Sequence, residues 1–222
     1  IGTARIAMDI GAERQRAFLS RLGILAPTPV ELVEAPGAKP LLPPKWSEIS
    51  TMTISYGHGL SASPLHLASA YASLLNGGFL VEPTLIHDPT RPRGPRIVSE
   101  RTSAIARDML RKVVTEGTAS LGEVAGYAVA GKTGTADKPK PTGGYYEDKV
   151  IATFATVFPA HDPKYVLVVA LDEAVETSGE EPRRTAGWTA VPVAAEVIRR
   201  TAPLLGIAPE IDPDPPVAIT LT

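Results

Sequence analysis

The chain has 222 residues, enough for one large globular domain or a part of one, and 44% of them are hydrophobic. A formal net charge of −2 gives no electrostatic basis for binding nucleic acid or anionic lipid. The sequence contains no cysteine, which excludes disulfides and thiolate catalysis, and no apolar run approaches the roughly 20 residues that would span a bilayer.

Two short helices are predicted at the start of the chain, over 2–10 and 12–22, and Gly23 can cap the second. Residues 26–50 have no sustained period and contain six of the 22 prolines. This segment is therefore predicted to be a long surface excursion. Trp46, near its end, is expected to pin it to the body of the protein.

The middle of the chain predicts two longer helices. The first covers 64–75, because serine followed by proline is typical of a helix start and small residues recur along it. A short strand over 79–86 and a turn at 88–95 follow. The second helix covers 99–116, and its predicted core-facing residues are Ile105, Met109, Leu110 and Val113.

Three strands are predicted in the second half, over about 126–135, 150–158 and 165–172, where apolar residues alternate or run together. The segment 137–144 contains proline and glycine and is predicted to be a loop. A last helix over 188–200 completes a mixed α/β (α+β) fold, in which an antiparallel sheet is flanked by helices.

Residues 131–136, Gly-Lys-Thr-Gly-Thr-Ala, carry the most specific chemistry. Lys132 and Thr133 offer an ammonium and a hydroxyl side by side, while Gly134 lets another backbone approach. Thr135 adds a free N–H and a second hydroxyl. An extended peptide could pair along such a strand edge while Lys132 and the two threonines bind its carboxylate. A tight turn between strands is the alternative for so short a motif.

This motif and several other segments of the chain resemble the same protein family. Lys132-Thr133-Gly134 matches the K-T-G signature of penicillin-binding proteins and class A β-lactamases. Residues 55–78, SYGHGLSASPLHLASAYASLLNGG, resemble a long segment of class B penicillin-binding proteins. Residues 185–193 resemble the start of their last helix, and residues 1–7 resemble the helix that follows their Ser-x-Asn motif. The resemblance extends to about residue 205 and is closest to the septal, cell-division type of transpeptidase.

The resemblance implies a partial penicillin-binding-protein/β-lactamase-like transpeptidase fold. In it, Lys132, Thr133 and Thr135 would bind the terminal carboxylate of a peptidoglycan stem peptide or of a β-lactam. The backbone N–H of Thr135 would donate to the oxyanion, and Gly134 would be required for close approach. These four residues are the predicted substrate-binding site.

Two motifs of the family are missing from the chain. No serine has a lysine three positions later, and the only asparagine, Asn76, has Leu74 rather than serine two places before it. A serine acyl-enzyme needs a nucleophile within reach of its base. We therefore expect no catalytic residue in this chain. The expectation is a C-terminal fragment of a larger transpeptidase, inactive by itself.

The intact protein is expected to be a serine-type peptidoglycan D,D-transpeptidase, which cross-links stem peptides ending in D-Ala-D-Ala and binds penicillin. The resemblance places it at the periplasmic face of the bacterial inner membrane, anchored upstream, with division or elongation proteins as partners and no cofactor. A D-Ala-D-Ala carboxypeptidase or β-lactamase-like fragment is one alternative. A non-catalytic interaction module is another.

The expected division of the chain is 1–205, the C-terminal portion of a transpeptidase domain, and 206–222, a proline-rich tail. Two of the five strands in the family's sheet come from sequence before the serine. The fragment is therefore expected to expose a strand edge over 165–171, and either to cover it by self-association or strand exchange or to be loosely packed there.

Other polar residues invite weaker hypotheses. The four histidines show no metal-ligand spacing, so no metal site is predicted. His66 is expected to be a packed histidine, whereas His58, between two glycines, is a minor candidate for ligand contact. Tyr145 and Tyr146 are predicted at a loop tip, facing either substrate or solvent. Asp172 and Glu173 are interpreted as a solvated strand end.

Overall fold

The computed structural model describes residues 1–210, and every statement about its content refers to them. The helices are α1 (Gly2–Ile10), α2 (Ala12–Arg21), α3 (Glu48–Ile54), α4 (Pro64–Leu75), α5 (Glu100–Thr115) and α6 (Ala190–Thr201). The strands are β1 (Ala130–Pro139), β2 (Tyr145–Phe158) and β3 (Tyr165–Asp172). The predicted tail lies outside the described residues from position 211 onward.

The strands form one antiparallel sheet in the order β1-β2-β3, which confirms the predicted sheet flanked by helices. β2 is central, so β1 and β3 each keep one edge without a partner strand in the described part of the chain. β3 has the predicted bounds. β1 begins later than predicted, because Val124 and Tyr127 first close a turn in which Gly126 has a φ of +80°.

Each face of the sheet packs against its own hydrophobic cluster. On one face, Phe154 of β2 packs with Val191 and Ile198 of α6, and all three are fully buried. On the other face, Val157 packs with Leu75 of α4. Burying a side chain of this size stabilises a fold by about 1.5–3 kcal/mol. These two clusters fix the position of the sheet between α6 on one side and α4 with α5 on the other.

Serine caps set the starts of three helices. The Ser63 hydroxyl accepts the His66 backbone N–H, and the His66 ring accepts the Ser63 backbone N–H. Each side chain therefore provides a hydrogen-bond partner for the backbone N–H of the other residue at the start of α4. Ser99 caps α5 in the predicted way. Ser47 caps α3, a helix that was not predicted, although serine followed by glutamate at its start was a usable signal.

The excursion over 26–50 is held at both ends. Trp46 Nε1 donates to Gln15 Oε1 at 3.0 Å, which confirms that Trp46 pins this segment. At the other end, Nε2 of the buried His66 lies 2.7 Å from the carbonyl oxygen of Ala26, to which it must donate. The expectation of a packed His66 is therefore confirmed.

The predicted strand over 79–86 is wrong. Only a single bridge forms there, between Phe79 and Arg96. Pro83 and Pro95 lack the N–H groups that a longer ladder would need. Ser73 instead takes up part of the segment, because its hydroxyl accepts the Val81 N–H at 2.8 Å.

The predicted core face of α5 is partly wrong. Ile105 and Met109 are 48% and 65% exposed. The buried face is rotated around the helix axis relative to the predicted one. On it, Arg107 donates to the carbonyl oxygen of Leu75, and Arg111 donates to the carbonyl oxygen of Val129. These two guanidinium groups anchor the helix, so its inner face includes charged residues that an apolar pattern does not detect.

The connection between β1 and β2 is shorter than predicted. The loop over 137–144 shrinks to 140–144, since β1 continues to Pro139. Tyr145 and Tyr146 are therefore the first residues of β2 and not a loop tip. The two strands together project as a long hairpin beyond the end of β3.

Candidate functional site

The predicted site residues lie in β1, along its unpaired edge. Pairing sets Lys132 opposite Ala155 and Thr133 opposite Phe154. Successive side chains of a strand point to opposite faces. Lys132 and Gly134 therefore lie on the face of α4, whereas both threonines lie on the face of α6.

Lys132 and Thr133 are thus not side by side on one face, as the sequence suggested, but flank the same edge from its two sides. Lys132 is exposed, and its Nζ donates to the carbonyl oxygen of Thr133 at 2.8 Å. The ammonium is held close to the strand backbone by this bond. It can still reach an anion at the edge, since an ammonium has three donor hydrogens.

The two threonine hydroxyls are each contacted from the α6 side. Thr133 Oγ1 lies 2.7 Å from Thr118 Oγ1, in the turn that follows α5. Thr135 Oγ1 accepts the backbone N–H of Ala186 at 3.0 Å, in the turn that precedes α6. Two segments that are distant in sequence therefore meet at β1.

Gly187 permits that meeting. A Cβ at Gly187 would lie 2.6 Å from the carbonyl oxygen of Thr118, closer than real Cβ contacts allow. The turn before α6 could not lie against the turn after α5 with a larger residue there. Thr118 was not predicted as a site residue, and Ala186 was noted only for its resemblance to a family segment.

The two glycines of β1 have different surroundings. A Cβ at Gly131 would lie 2.6 Å from the Ala155 carbonyl oxygen and 2.7 Å from the Phe154 ring, so packing requires glycine there. A Cβ at Gly134 would meet nothing closer than 4.0 Å, in Thr153. The space over Gly134 is open, and nothing within the described residues accounts for a glycine at this position.

The far end of the hairpin carries a charged cluster. Lys138 of β1 donates to Asp172 and Glu173 at 2.7 Å each, and Lys149 of β2 lies 2.9 Å from Glu173. Hydrogen bonds from Lys138 and then Lys149 lower the pKa of Glu173. The bonds to Asp172 and Glu173 raise the pKa of Lys138. The exposed end of β3 is therefore ion-paired to the hairpin.

His58 lies near this hairpin. Its ring centroid is 5.8 Å from that of Tyr145, and the two rings are tilted by 48°. Gly57 and Gly59, on either side of His58, have φ of +93° and +86°, which favours glycine. The contact joins the loop after α3 to the hairpin. Tyr145 pairs with Pro139, which is seven residues from Lys132 along β1, or about 23 Å at the usual rise of a strand.

Among residues 1–210, no group of three or more histidines and carboxylates is arranged to hold a metal ion. None of the helices in the described part of the chain is both long enough and apolar enough to cross a bilayer.

The sequence matches a family model described as the penicillin binding protein transpeptidase domain, over residues 1–198. Among curated proteins, it is 38% identical to the "Probable peptidoglycan D,D-transpeptidase FtsI" of Caulobacter vibrioides, over 93% of this chain and 36% of that protein. It is 33% identical to penicillin-binding protein PbpB of Mycolicibacterium smegmatis, over 100% of this chain and 36% of that protein. The chain thus spans about a third of the length of these relatives.

Solved structures give a consistent comparison. The transpeptidase domain of Burkholderia pseudomallei penicillin-binding protein 3 has a TM-score of 0.82 and 31% identity, covering 95% of this chain and 63% of that one. Penicillin-binding protein 3 of Mycobacterium tuberculosis, solved in complex with ampicillin, has a TM-score of 0.81 and 30% identity. That match covers 100% of this chain and 52% of the solved chain.

Proposed function

This chain belongs to the penicillin-binding protein transpeptidase family, and on that premise we propose that it supplies the carboxylate-binding strand of a serine-type peptidoglycan D,D-transpeptidase. The acyl donor would be a stem peptide ending in D-Ala-D-Ala, and a β-lactam would bind in its place. Lys132, Thr133, Gly134 and Thr135 would form the binding site.

One observation carries this proposal: the polar, unpaired edge of β1. An ammonium flanks it from one face and two hydroxyls flank it from the other, while the space over Gly134 is open. A carboxylate accepts several charge-assisted hydrogen bonds at once, which suits this donor set. An extended peptide could add to the same edge through its backbone.

The nucleophile and its base would come from sequence outside these 222 residues, as would the membrane anchor. Residues 1–205 would be the C-terminal portion of the transpeptidase domain, with 206–222 as a tail. The intact protein would work at the periplasmic face of the inner membrane together with division or elongation proteins. The 222-residue chain by itself would be inactive and would self-associate through β3.

Labelling with a fluorescent penicillin tests the proposal. We expect the intact protein that contains this chain to form a covalent adduct that survives a denaturing gel, and the 222-residue chain to give an unlabelled band. A labelled band from the short chain would mean that it holds a nucleophile after all. Failure of the intact protein to label would refute the proposed function.

Product analysis separates the remaining alternative. A transpeptidase would transfer the acyl group to an amine of a second stem peptide, whereas a carboxypeptidase would release the shortened peptide to water. Incubation of the intact protein with a stem peptide and a labelled amine acceptor should give the cross-linked product. Only the shortened peptide would favour a carboxypeptidase.

A further inference from the structure

The hydroxyls of Thr133 and Thr135 each have a neighbour that restricts where their single proton can point. We propose that Thr118 and the backbone N–H of Ala186 are positioning groups, which hold these two hydroxyls as hydrogen-bond donors toward a carboxylate at the β1 edge. This inference rests on the proposed function, because it concerns how the same carboxylate is recognised.

Thr135 gives the simpler case. The N–H of Ala186 can only donate, so Thr135 Oγ1 must accept in their 3.0 Å bond. This is the sole hydrogen bond that residues 1–210 provide to that hydroxyl. Its own proton is therefore unused within the described part of the chain and is available to a ligand.

The pair formed by Thr133 and Thr118 leads to a similar result. Two hydroxyls 2.7 Å apart share one proton between them, which leaves one proton free. A carboxylate can only accept, so its binding at Thr133 favours the arrangement in which Thr118 donates to Thr133 and Thr133 donates to the ligand. Each bond in such a chain polarises and strengthens the next.

The two supports are held together by packing. Ala186 is fully buried, and its carbonyl accepts the N–H of Val191 at the start of α6. Gly187 lies directly against the Thr118 carbonyl oxygen, at a distance that excludes any side chain. Both positioning groups are thus fixed relative to α6 and to each other before a ligand arrives.

The arrangement divides recognition between the two faces of β1. Lys132 supplies charge from the α4 face, and the supported threonines supply two directed donors from the α6 face. Directed donors distinguish a carboxylate from an uncharged group by geometry as well as by charge. Removing a support should therefore weaken recognition of the carboxylate more than recognition of an uncharged ester.

The test uses the intact protein and a pair of thioester acyl donors that differ only in carrying a free terminal carboxylate or its methyl ester. Thr118→Val removes the hydroxyl and keeps the shape, whereas Thr118→Ser keeps the hydroxyl. Thr115→Val is the matched control, since the one hydrogen bond that the Thr115 hydroxyl forms among residues 1–210 is to the Arg111 carbonyl oxygen within α5. Thermal melts check that each variant folds.

We expect Thr118→Val to slow second-order acylation by the carboxylate donor about fivefold, the usual effect of losing one hydrogen bond. Acylation by the methyl ester should slow less, because its neutral carbonyl oxygen accepts a weaker hydrogen bond, and Thr118→Ser should restore the rate with the carboxylate donor. An equal loss on both donors, no loss, or the same loss in Thr115→Val would overturn the inference. If Lys132→Ala slows the carboxylate donor while Thr118→Val does not, the proposed function stands and this inference fails.

Should Thr118→Val fail to fold, Thr118→Ala is compared with Thr118→Ser on the same two donors. The side chain of Thr118 is exposed, so its truncation leaves no cavity in the core. Selective loss with the carboxylate donor in Thr118→Ala would again support the inference. Equal rates for the alanine and serine variants would overturn it.

Discussion

The two free edges of the sheet differ in almost every respect. The β1 edge carries Lys132, Asp137, Lys138 and Pro139, and most of its side chains are exposed. The β3 edge reads Tyr-Val-Leu-Val-Val-Ala-Leu over 165–171, with no charge, proline or glycine. Both edges leave backbone groups without a partner strand among the described residues.

This difference suggests different uses for the two edges. The β1 edge is suited to binding a ligand, and the β3 edge is suited to being covered by another strand. Charged residues and proline are common devices that keep an edge strand from pairing with another chain. A run that is apolar, uncharged and rich in β-branched residues is the opposite, a template for pairing. β1 is thus suited to selective binding of a ligand, and β3 is suited to pairing with a partner strand.

The largest expected effect comes from the charge on the binding edge. In the intact protein, Lys132→Ala should slow acylation by a β-lactam roughly ten- to a hundredfold, because one charge-assisted contact to a carboxylate contributes about 1.5–3 kcal/mol. The melting temperature should change little, since Lys132 is exposed. Stopped-flow acylation kinetics would measure the rate. An unchanged second-order rate would show that Lys132 does not bind the carboxylate.

The two glycines of β1 should respond to substitution in opposite ways. Gly131→Ala forces a Cβ against the Ala155 carbonyl and the Phe154 ring, and such overpacking costs about 1–3 kcal/mol of folding free energy. Gly134→Val should leave folding nearly intact but obstruct the open space at the binding edge. Denaturant unfolding of both variants, with acylation rates of the intact protein, measures the two effects. Equal destabilisation by the two substitutions would contradict the assignment of Gly134 to the ligand.

The apolar edge predicts association of the 222-residue chain. We expect oligomers in sedimentation velocity, and Ala170→Lys should shift them toward monomer because a charge then lies on the exposed part of β3. Ala136→Lys is the matched control, an exposed alanine on the β1 edge, and should have no such effect. A monodisperse monomer of the unsubstituted chain, with protected amides over 165–171, would refute the prediction.

The strands and most helices could be predicted from the sequence because local signals agree there. Serine caps mark the starts of α4 and α5, and the bounds of β3 follow from an uninterrupted apolar run. Prediction failed where tertiary contacts decide. The inward face of α5 depends on two arginines that reach carbonyl groups of other elements, and the segment 79–86 is held by the Ser73 hydroxyl, which accepts the Val81 N–H.

The arrangement of the candidate site residues could be predicted only in part. The motif selects Lys132 through Thr135 as candidates, but strand alternation divides these side chains between two faces, which the motif by itself does not convey. Thr118 lies 15 positions before its partner Thr133, and Ala186 lies 51 positions after Thr135. No periodicity links such residues, so only the packing of the two turns brings them to the strand.

The smallest expected effect lies where the two edges are tied together, at Glu173 at the end of β3. Its hydrogen bonds to Lys138 and Lys149 lower its pKa, so its contribution to stability is present above the ordinary pKa of about 4.3 for a glutamate. That contribution disappears as the pH falls through the lowered value, because the carboxylate is then protonated in both the folded and the unfolded state. We expect Glu173→Gln to lower the melting temperature at pH 7 by about 1–3 °C, as for exposed ion pairs in a chain of this size.

This difference in melting temperature should shrink below about pH 4. It should also shrink in 1 M salt, where the Debye length is only about 3 Å. Glu147→Gln, at an exposed residue of β2 that forms no ion pair among the described residues, serves as the control and should show neither dependence. A Glu173→Gln deficit that is equal at pH 7 and pH 3 would mean that the hairpin and β3 are joined by backbone pairing alone.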